Sequence, residues 1–265
     1  MKSFEMNFEN WSRTDLKNFL DEQSHRYNTK AFISNDPISI PHQFTRKEDI
    51  EISAFLTATI SWGNRKSIVA NANKMMVLMD HDPFQFVMNH DAADLKRLEK
   101  FVHRTFNAVD LIQFIQSLKH FYDQAGGMES VFTQGMMGHT NTAAAISGFK
   151  EKFFEGFLSS RSDKHVSDPS KGSAAKRINM FLRWMVRHDN RGVDFGLWHN
   201  IPMSSLSIPL DIHTGNIARK LGLLHRKQND RKAVEELDAQ LRSFDPIDPV
   251  RYDFALFGLG AMMDF

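Results

Sequence analysis

Apolar residues recur along this chain at the spacing of a buried helical stripe, and the alternation of a half-buried strand is almost absent. Ile52, Phe55, Leu56, Thr59 and Ile60 fall at i, i+3, i+4, i+7 and i+8. Ile68, Ala72, Met75 and Met79 continue the pattern. Leu111, Phe114, Ile115, Leu118 and Tyr122 form a third stripe, with Asp110 placed as its N-cap. Ile178, Phe181, Leu182 and Met185 form a fourth, Ile217, Leu221 and Leu224 a fifth, and Val234, Leu237 and Leu241 a sixth. Further helix starts are expected at Thr14, with Asp15 in the first turn, and at Thr45, ahead of Glu48, Asp49 and Glu51. The fold class this predicts is all-α.

Two stretches interrupt the pattern. Residues 123–148 are rich in Gly and small polar residues and read as loops or short helices. Residues 159–173 have no sustained apolar pattern and read as a connector. The chain is long enough for a substantial core. It reads as one helical domain over 1–265, with a finer division into two lobes, about 45–160 and 171–265 plus the N-terminal segment, joined at 159–173.

The chain has no cysteine, which excludes a disulfide-linked partner, a Cys-ligated zinc and a Cys-ligated iron–sulfur cluster. No segment has the apolar length of a signal peptide or a membrane span, so a cytoplasmic protein without a membrane partner is expected. Net charge is +1, but its distribution is uneven. From Lys171 to Lys232 there are 12 Lys or Arg against 4 Asp, leaving 21 basic and 28 acidic residues elsewhere. A local excess of this kind is what a polyanion-facing surface shows, and it is equally what a solvated basic face shows. His81-Asp82 and His90-Asp91 have the form of a metal-phosphohydrolase doublet. Converging ligands at helical spacing are missing, so they read as a helix cap and a turn, and no metal or cofactor is expected.

Chemistry concentrates in two segments. Lys171-Gly172-Ser173 reads as a turn opening a helix with Lys176 in its first turn. Helical spacing sets Lys176, Met180, Arg183 and Arg187 on one side, opposite the apolar stripe. A Gly turn at a helix start exposes backbone N–H groups, a seat for phosphate. A lysine there is either a solvent-facing side chain or, as a neutral amine, a nucleophile able to attack a sugar carbon and form a Schiff base. In the second segment Pro209 sets an extended lead-in, Asp211 stands at the N-cap position and Gly222 ends the helix. A carboxylate so held is either a plain cap or a group that stabilises a developing oxocarbenium ion.

The second segment, Asp211-Ile-His213-Thr-Gly-Asn-Ile-Ala-Arg219-Lys220-Leu221-Gly222, is similar to the segment that follows the hairpin lysine in the helix-hairpin-helix DNA glycosylases. The helix and turn from Ile52 through Ser61 to Val69, and the closing Tyr252–Gly260 stretch, resemble the corresponding parts of that superfamily. The likeness spans roughly residues 45–260 and is nearest to the archaeal 8-oxoguanine glycosylase branch. The wider sequence also resembles a bacterial group described only as related to these enzymes. The resemblance implies a helical bundle with two lobes flanking a cleft, a monomer with DNA as partner, Lys176 as nucleophile and Asp211 as essential carboxylate. It implies a DNA-repair glycosylase with AP-lyase activity on an oxidised purine. A non-catalytic DNA- or RNA-binding domain on the same scaffold is the alternative. Lys171, Gly172, Ser173, Arg183, Arg187, His213, Arg219 and Lys220 are the expected nucleic-acid contacts, and Trp62, Trp184 and Trp198 the candidates to line a base pocket. The hairpin departs from the usual Leu-Pro-Gly-Val-Gly-x-Lys, reading Asp168-Pro-Ser-Lys-Gly172-Ser-Ala-Ala-Lys176. A second alignment sets Arg183 in the lysine's place, and in it the nucleophile is lost.

Overall fold

The computed structural model describes residues 11–157 and 161–262. It is all-α. In chain order the helices are α1 (Arg13–Tyr27), α2 (Lys30–Ile33), α3 (Lys47–Thr59), α4 (Arg65–Leu78), α5 (Pro83–Asn89) and α6 (Ala92–Arg97), then α7 (Ala108–Gln124), α8 (Gly127–Gly135), α9 (Ala143–Phe153), α10 (Lys176–Val186), α11 (Ile212–Lys220), α12 (Arg231–Phe244) and α13 (Tyr252–Met262). Strand is confined, among the described residues, to a small antiparallel hairpin, β1 (Val102–His103) and β2 (Phe106–Asn107). None of the described helices is long and apolar enough to cross a membrane.

Five of the six periodic stripes lie in helices to within one residue of the end, the fifth leaves Leu221 and Leu224 beyond the end of α11, and three caps differ from expectation. Ser12, not Thr14, caps α1 in a reciprocal box with Asp15. Arg46, not Thr45, stands at the N-cap of α3. Asn107 caps α7, and Asp110 is the residue three on whose carboxylate reaches back to the Asn107 N–H. Asp82 and Asp91, from the two His-Asp doublets, cap α5 and α6. Residues 123–148 contain α8 and the start of α9. The connector, whose first two residues lie outside the described ones, contains two 3-10 turns, Arg161–His165 and Pro169–Lys171, and buries Ser162, His165, Val166 and Pro169.

Buried apolar side chains form two clusters. The larger runs from Ile38 to Leu206 and takes in Val250 and Phe254; its centre is a phenylalanine stack in which Phe55, Phe114, Phe149, Phe153 and Phe181 meet at centroid separations of 4.9–5.7 Å. The smaller joins Leu20 of α1 to residues between Ile208 and Leu259. Helix α10 packs against α3 in the larger cluster, so a division at 159–173 does not coincide with the boundary between the two cores, which falls at 206–208.

Two glycines allow the close approaches that seat the smaller cluster. A Cβ at Gly258 would lie 2.4 Å from the Tyr27 ring, and one at Gly260 would lie 3.0 Å from the His213 carbonyl oxygen. Helix α13 thereby packs directly on α1 and on the start of α11.

A candidate active site at the start of helices α10 and α11

The route to Lys176 begins at Asp168, whose side chain caps the 3-10 turn and accepts hydrogen bonds from the Ser170 N–H and the Ser147 hydroxyl. Those hydrogen bonds outweigh the cost of its partial burial and hold the Asp168 carboxyl below the usual carboxylate range. Gly172 then takes a left-handed conformation (φ 85°), and its carbonyl accepts from the Arg231 N–H at 3.0 Å. Ala175 is left-handed too (φ 48°), an unusual state for a residue with a Cβ. It is fixed by the Ser173 hydroxyl, which accepts from its N–H, and by Asn179, whose N–H donates to its carbonyl. Tied at both ends, the turn starts α10 at Lys176. Lys171 and Gly172 are exposed and Ser173 is half-buried; all three lie in this turn, outside the pocket that Lys176 enters.

Asp211 arrives from the other side. The extended lead-in is anchored where the Ile208 N–H donates to the buried Asp238 carboxylate. Asp211 caps α11: Oδ1 accepts from the Thr214 N–H at 2.9 Å, and the main-chain carbonyl accepts from Asn229 Nδ2 at 2.9 Å. Asn229 is in turn held by Arg219, which also donates to the Arg226 carbonyl. Arg219 therefore faces inward as a brace, and Lys220 is exposed beside it. The second carboxylate oxygen, Oδ2, is left facing Lys176 Nζ at 3.8 Å, with both side chains partly exposed. Two residues 35 positions apart thus meet.

They meet in a pocket of about 570 Å³, within the range of roughly 300–1,000 Å³ usual for small-ligand sites. Trp62, Met180 and Phe257 give it apolar walls, and His213 lies at its edge. Trp62 follows the turn that ends α3. The Arg177 guanidinium lies over its ring at 4.8 Å, and His165 stacks on it at 5.9 Å. Arg177 also donates to the Thr59 carbonyl, and burial lowers its guanidinium to about 10. Burial likewise pushes the imidazole of His165 down to about 4, so that ring is neutral at pH 7.

The floor of the pocket is charged. Arg183, buried, pairs with Asp194 and Asp253. Burial opposes its charge, but the carboxylates around it outweigh that cost and hold it protonated. Burial raises Asp253 to about 6 against the pull of Arg183, and raises Asp36, which also lines the pocket. Arg187, one turn on, pairs with Asp189, Asp194 and Asp248.

Four expected contacts are therefore corrected. Arg183 and Arg187 are nine-tenths or more buried and saturated by carboxylates, so neither can meet a nucleic-acid phosphate. Trp184 and Trp198 are fully buried core residues. Trp198 donates from Nε1 to Glu51, which also accepts from the Tyr122 hydroxyl. For Arg183, Trp184 and Arg187 the reason is that α10 is buried on every side beyond its first turn, so it has no solvent face for spacing to reveal, whereas Trp198 lies in the segment that follows and packs into the larger core.

Asp36, Arg177, Asn229, Asp253 and Phe257 belong to the site and were not singled out by the sequence. Asp253 had one visible signal, a lone acid within the apolar run Tyr252–Leu259. Among the described residues, no three His, Asp or Glu side chains converge as metal ligands.

Comparison with curated proteins and with solved structures found no match for the chain. One family model matches, over residues 36–262, a span that includes every residue lining the pocket except Phe32. On that match the chain belongs to the family described as "Protein of unknown function (DUF2400)".

Proposed function

We propose that the chain is a DNA N-glycosylase with AP-lyase activity, acting on an oxidised purine such as 8-oxoguanine. The observation that carries this reading is the contact of Lys176 Nζ with Asp211 Oδ2 at the mouth of a pocket with aromatic walls. The resemblance of both segments to the glycosylase superfamily supports it.

A glycosidic bond is out of reach inside a stacked duplex, so the target nucleotide turns out into the pocket. Lys176 Nζ attacks C1′ and the bond from C1′ to the base breaks, its electron pair leaving with the base. The proton shed by the lysine nitrogen ends on the departing base. Asp211 Oδ2, fixed by the helix cap, faces the sugar and stabilises positive charge there. The lysine nitrogen's electron pair then opens the sugar: the C1′–O4′ bond breaks, O4′ takes up a proton from water, and the protonated Schiff base so formed acidifies the C2′ proton, whose loss expels the 3′ phosphate by β-elimination. Lys171, Gly172 and Ser173, in the exposed turn, hold a flanking phosphate. His213 and Lys220 extend that contact along α11.

Borohydride trapping on duplexes carrying 8-oxoguanine or an abasic site tests the reading. The wild-type chain gives a covalent adduct, and Lys176→Gln loses it while still binding duplex. The pair is partly exposed and its contact, at 3.8 Å, is worth about 0–1 kcal/mol, so the variant stays folded. Binding without any adduct would support a non-catalytic DNA- or RNA-binding domain instead.

A further inference from the structure

Asp36 is a buried carboxylate with half of its capacity unused. It caps the 3-10 turn Pro37–Ser39, and one oxygen, Oδ1, accepts from the Ile38 N–H at 3.1 Å. Among the described residues nothing donates to the other oxygen and no cation lies within ion-pair distance, although the side chain is 8% exposed and forms part of the pocket wall. A cap alone does not account for this. Asn or Ser would serve the same turn without the cost of a buried charge. The second oxygen is open to the pocket, where water satisfies it, so a ligand donor entering there would take the place of that water.

The chemistry of that donor follows from the group. An ionised carboxylate only accepts hydrogen bonds. Burial raises the Asp36 carboxyl, and the Ile38 N–H with the charges of Arg183, Arg65 and Lys176 pulls it part of the way back toward the ionised form. The ring of a flipped base, packed among Phe32, Met180 and Phe257, would turn its pairing edge toward one of the polar walls. A guanine-type edge carries two adjacent N–H donors, N1–H and the N2 amino group, which suit a carboxylate. An adenine-type edge puts the N1 lone pair beside its amino group, and that lone pair would face the carboxylate oxygens.

Resting on the glycosylase reading, we infer that Asp36 is the residue that reads the base, selecting a guanine-type pairing edge over an adenine-type one by accepting its N–H donors. Lys176 and Asp211 act on the sugar, so selection and bond cleavage fall to different side chains.

The test compares single-turnover excision of 8-oxoguanine and of 8-oxoadenine from otherwise identical duplexes, with borohydride trapping on an abasic site alongside. The wild-type chain removes 8-oxoguanine faster than 8-oxoadenine by roughly ten- to hundredfold, the scale of one good bidentate contact. Asp36→Asn keeps the cap and presents a donor in place of one acceptor. It slows 8-oxoguanine excision by a similar factor and narrows the ratio, while abasic-site trapping, with no base to read, falls far less. Equal excision of the two bases by the wild-type chain would overturn the inference. So would an Asp36→Asn ratio equal to wild type, or an equal loss of excision and trapping, which would make Asp36 a purely structural cap. A wild-type chain that traps neither 8-oxoguanine nor abasic duplex would instead bring down the glycosylase reading itself, a result distinct from all three.

Discussion

At the scale of single residues, Asp211 does two things with two oxygens: Oδ1 ends a helix and Oδ2 faces an amine. The two uses can be separated by substitution. Asn is as good an N-cap as Asp, so Asp211→Asn should leave thermal stability within a few tenths of a kcal/mol, whereas Asp211→Ala should cost about 1 kcal/mol. Under the proposed chemistry both variants remove the charge that faces the sugar, and excision should drop by about 10²-fold or more in each, the scale seen when one preorganised electrostatic group is removed. Thermal melts read beside single-turnover excision check this. Parallel losses of stability and activity across the two variants would show that the carboxylate is only a cap. The same logic separates Arg219 from the contacts first expected of it. Its guanidinium is spent on Asn229 and the Arg226 carbonyl, so it positions the Asp211 backbone and does not bind phosphate.

At the scale of elements, the site is a meeting of helix starts, and its precision depends on how closely α11 is pressed to α13. That approach is set by Gly260, where a Cβ would come within 3.0 Å of the His213 backbone. Gly260→Ala must push α11 outward, because the obstacle is main chain and cannot rotate away. A destabilisation of about 1–3 kcal/mol is expected by denaturant titration, the usual cost of overpacking. Abasic-site trapping should fall with it, since Asp211 sits two residues before His213. Unchanged trapping at reduced stability would mean that the α11 start is held by Asn229 alone. Much of this element layer was legible beforehand. Five of the periodic stripes fall in α3, α4, α7, α10 and α12, the remaining one begins in α11 and runs past its end, Lys176 opens α10, Asp211 caps α11, and Gly222 closes it with φ 68°. These are local signals, carried by neighbours within one or two turns. What could not be read locally is the surroundings of α10. Arg183 and Arg187 occupy the polar-looking side of that helix, but their partners Asp194, Asp248 and Asp253 lie up to 70 positions along the chain. Trp184 and Trp198 looked like base-stacking candidates for the same reason: nearness in sequence to Lys176 says nothing about which face is covered. Asp36 escaped notice because it opens an Asp-Pro-x-x-x-Pro stretch that reads as extended, and only the assembled pocket shows its second oxygen open to a ligand.

At the scale of the whole molecule, much of the basic excess between Lys171 and Lys232 is spent within the protein. Arg183 and Arg187 are consumed by a buried carboxylate network, Arg177 is held between the Thr59 carbonyl and the Trp62 ring, and Arg226 and Arg231 form surface pairs with Asp230 and Glu235. The exposed lysines of the stretch are Lys171, Lys220, Lys227 and Lys232. Sequence charge therefore overstates the surface that a polyanion would meet, and salt dependence should report the difference. Each neutralised phosphate contributes a slope of about −0.9 to log K against log salt on duplex DNA. Four exposed lysines, with a contribution from Arg65 or Lys66 at the neighbouring start of α4, give an expected slope of roughly −4 to −5. Had all twelve basic residues of the stretch faced DNA, the slope would approach roughly −11. Duplex binding measured over a series of salt concentrations distinguishes the two. The shallower slope fits a protein that reaches DNA through one exposed turn and the ends of a few helices. The steeper one would require the arginines of the buried network to leave their carboxylates, breaking pairs whose loss costs about 3–5 kcal/mol each.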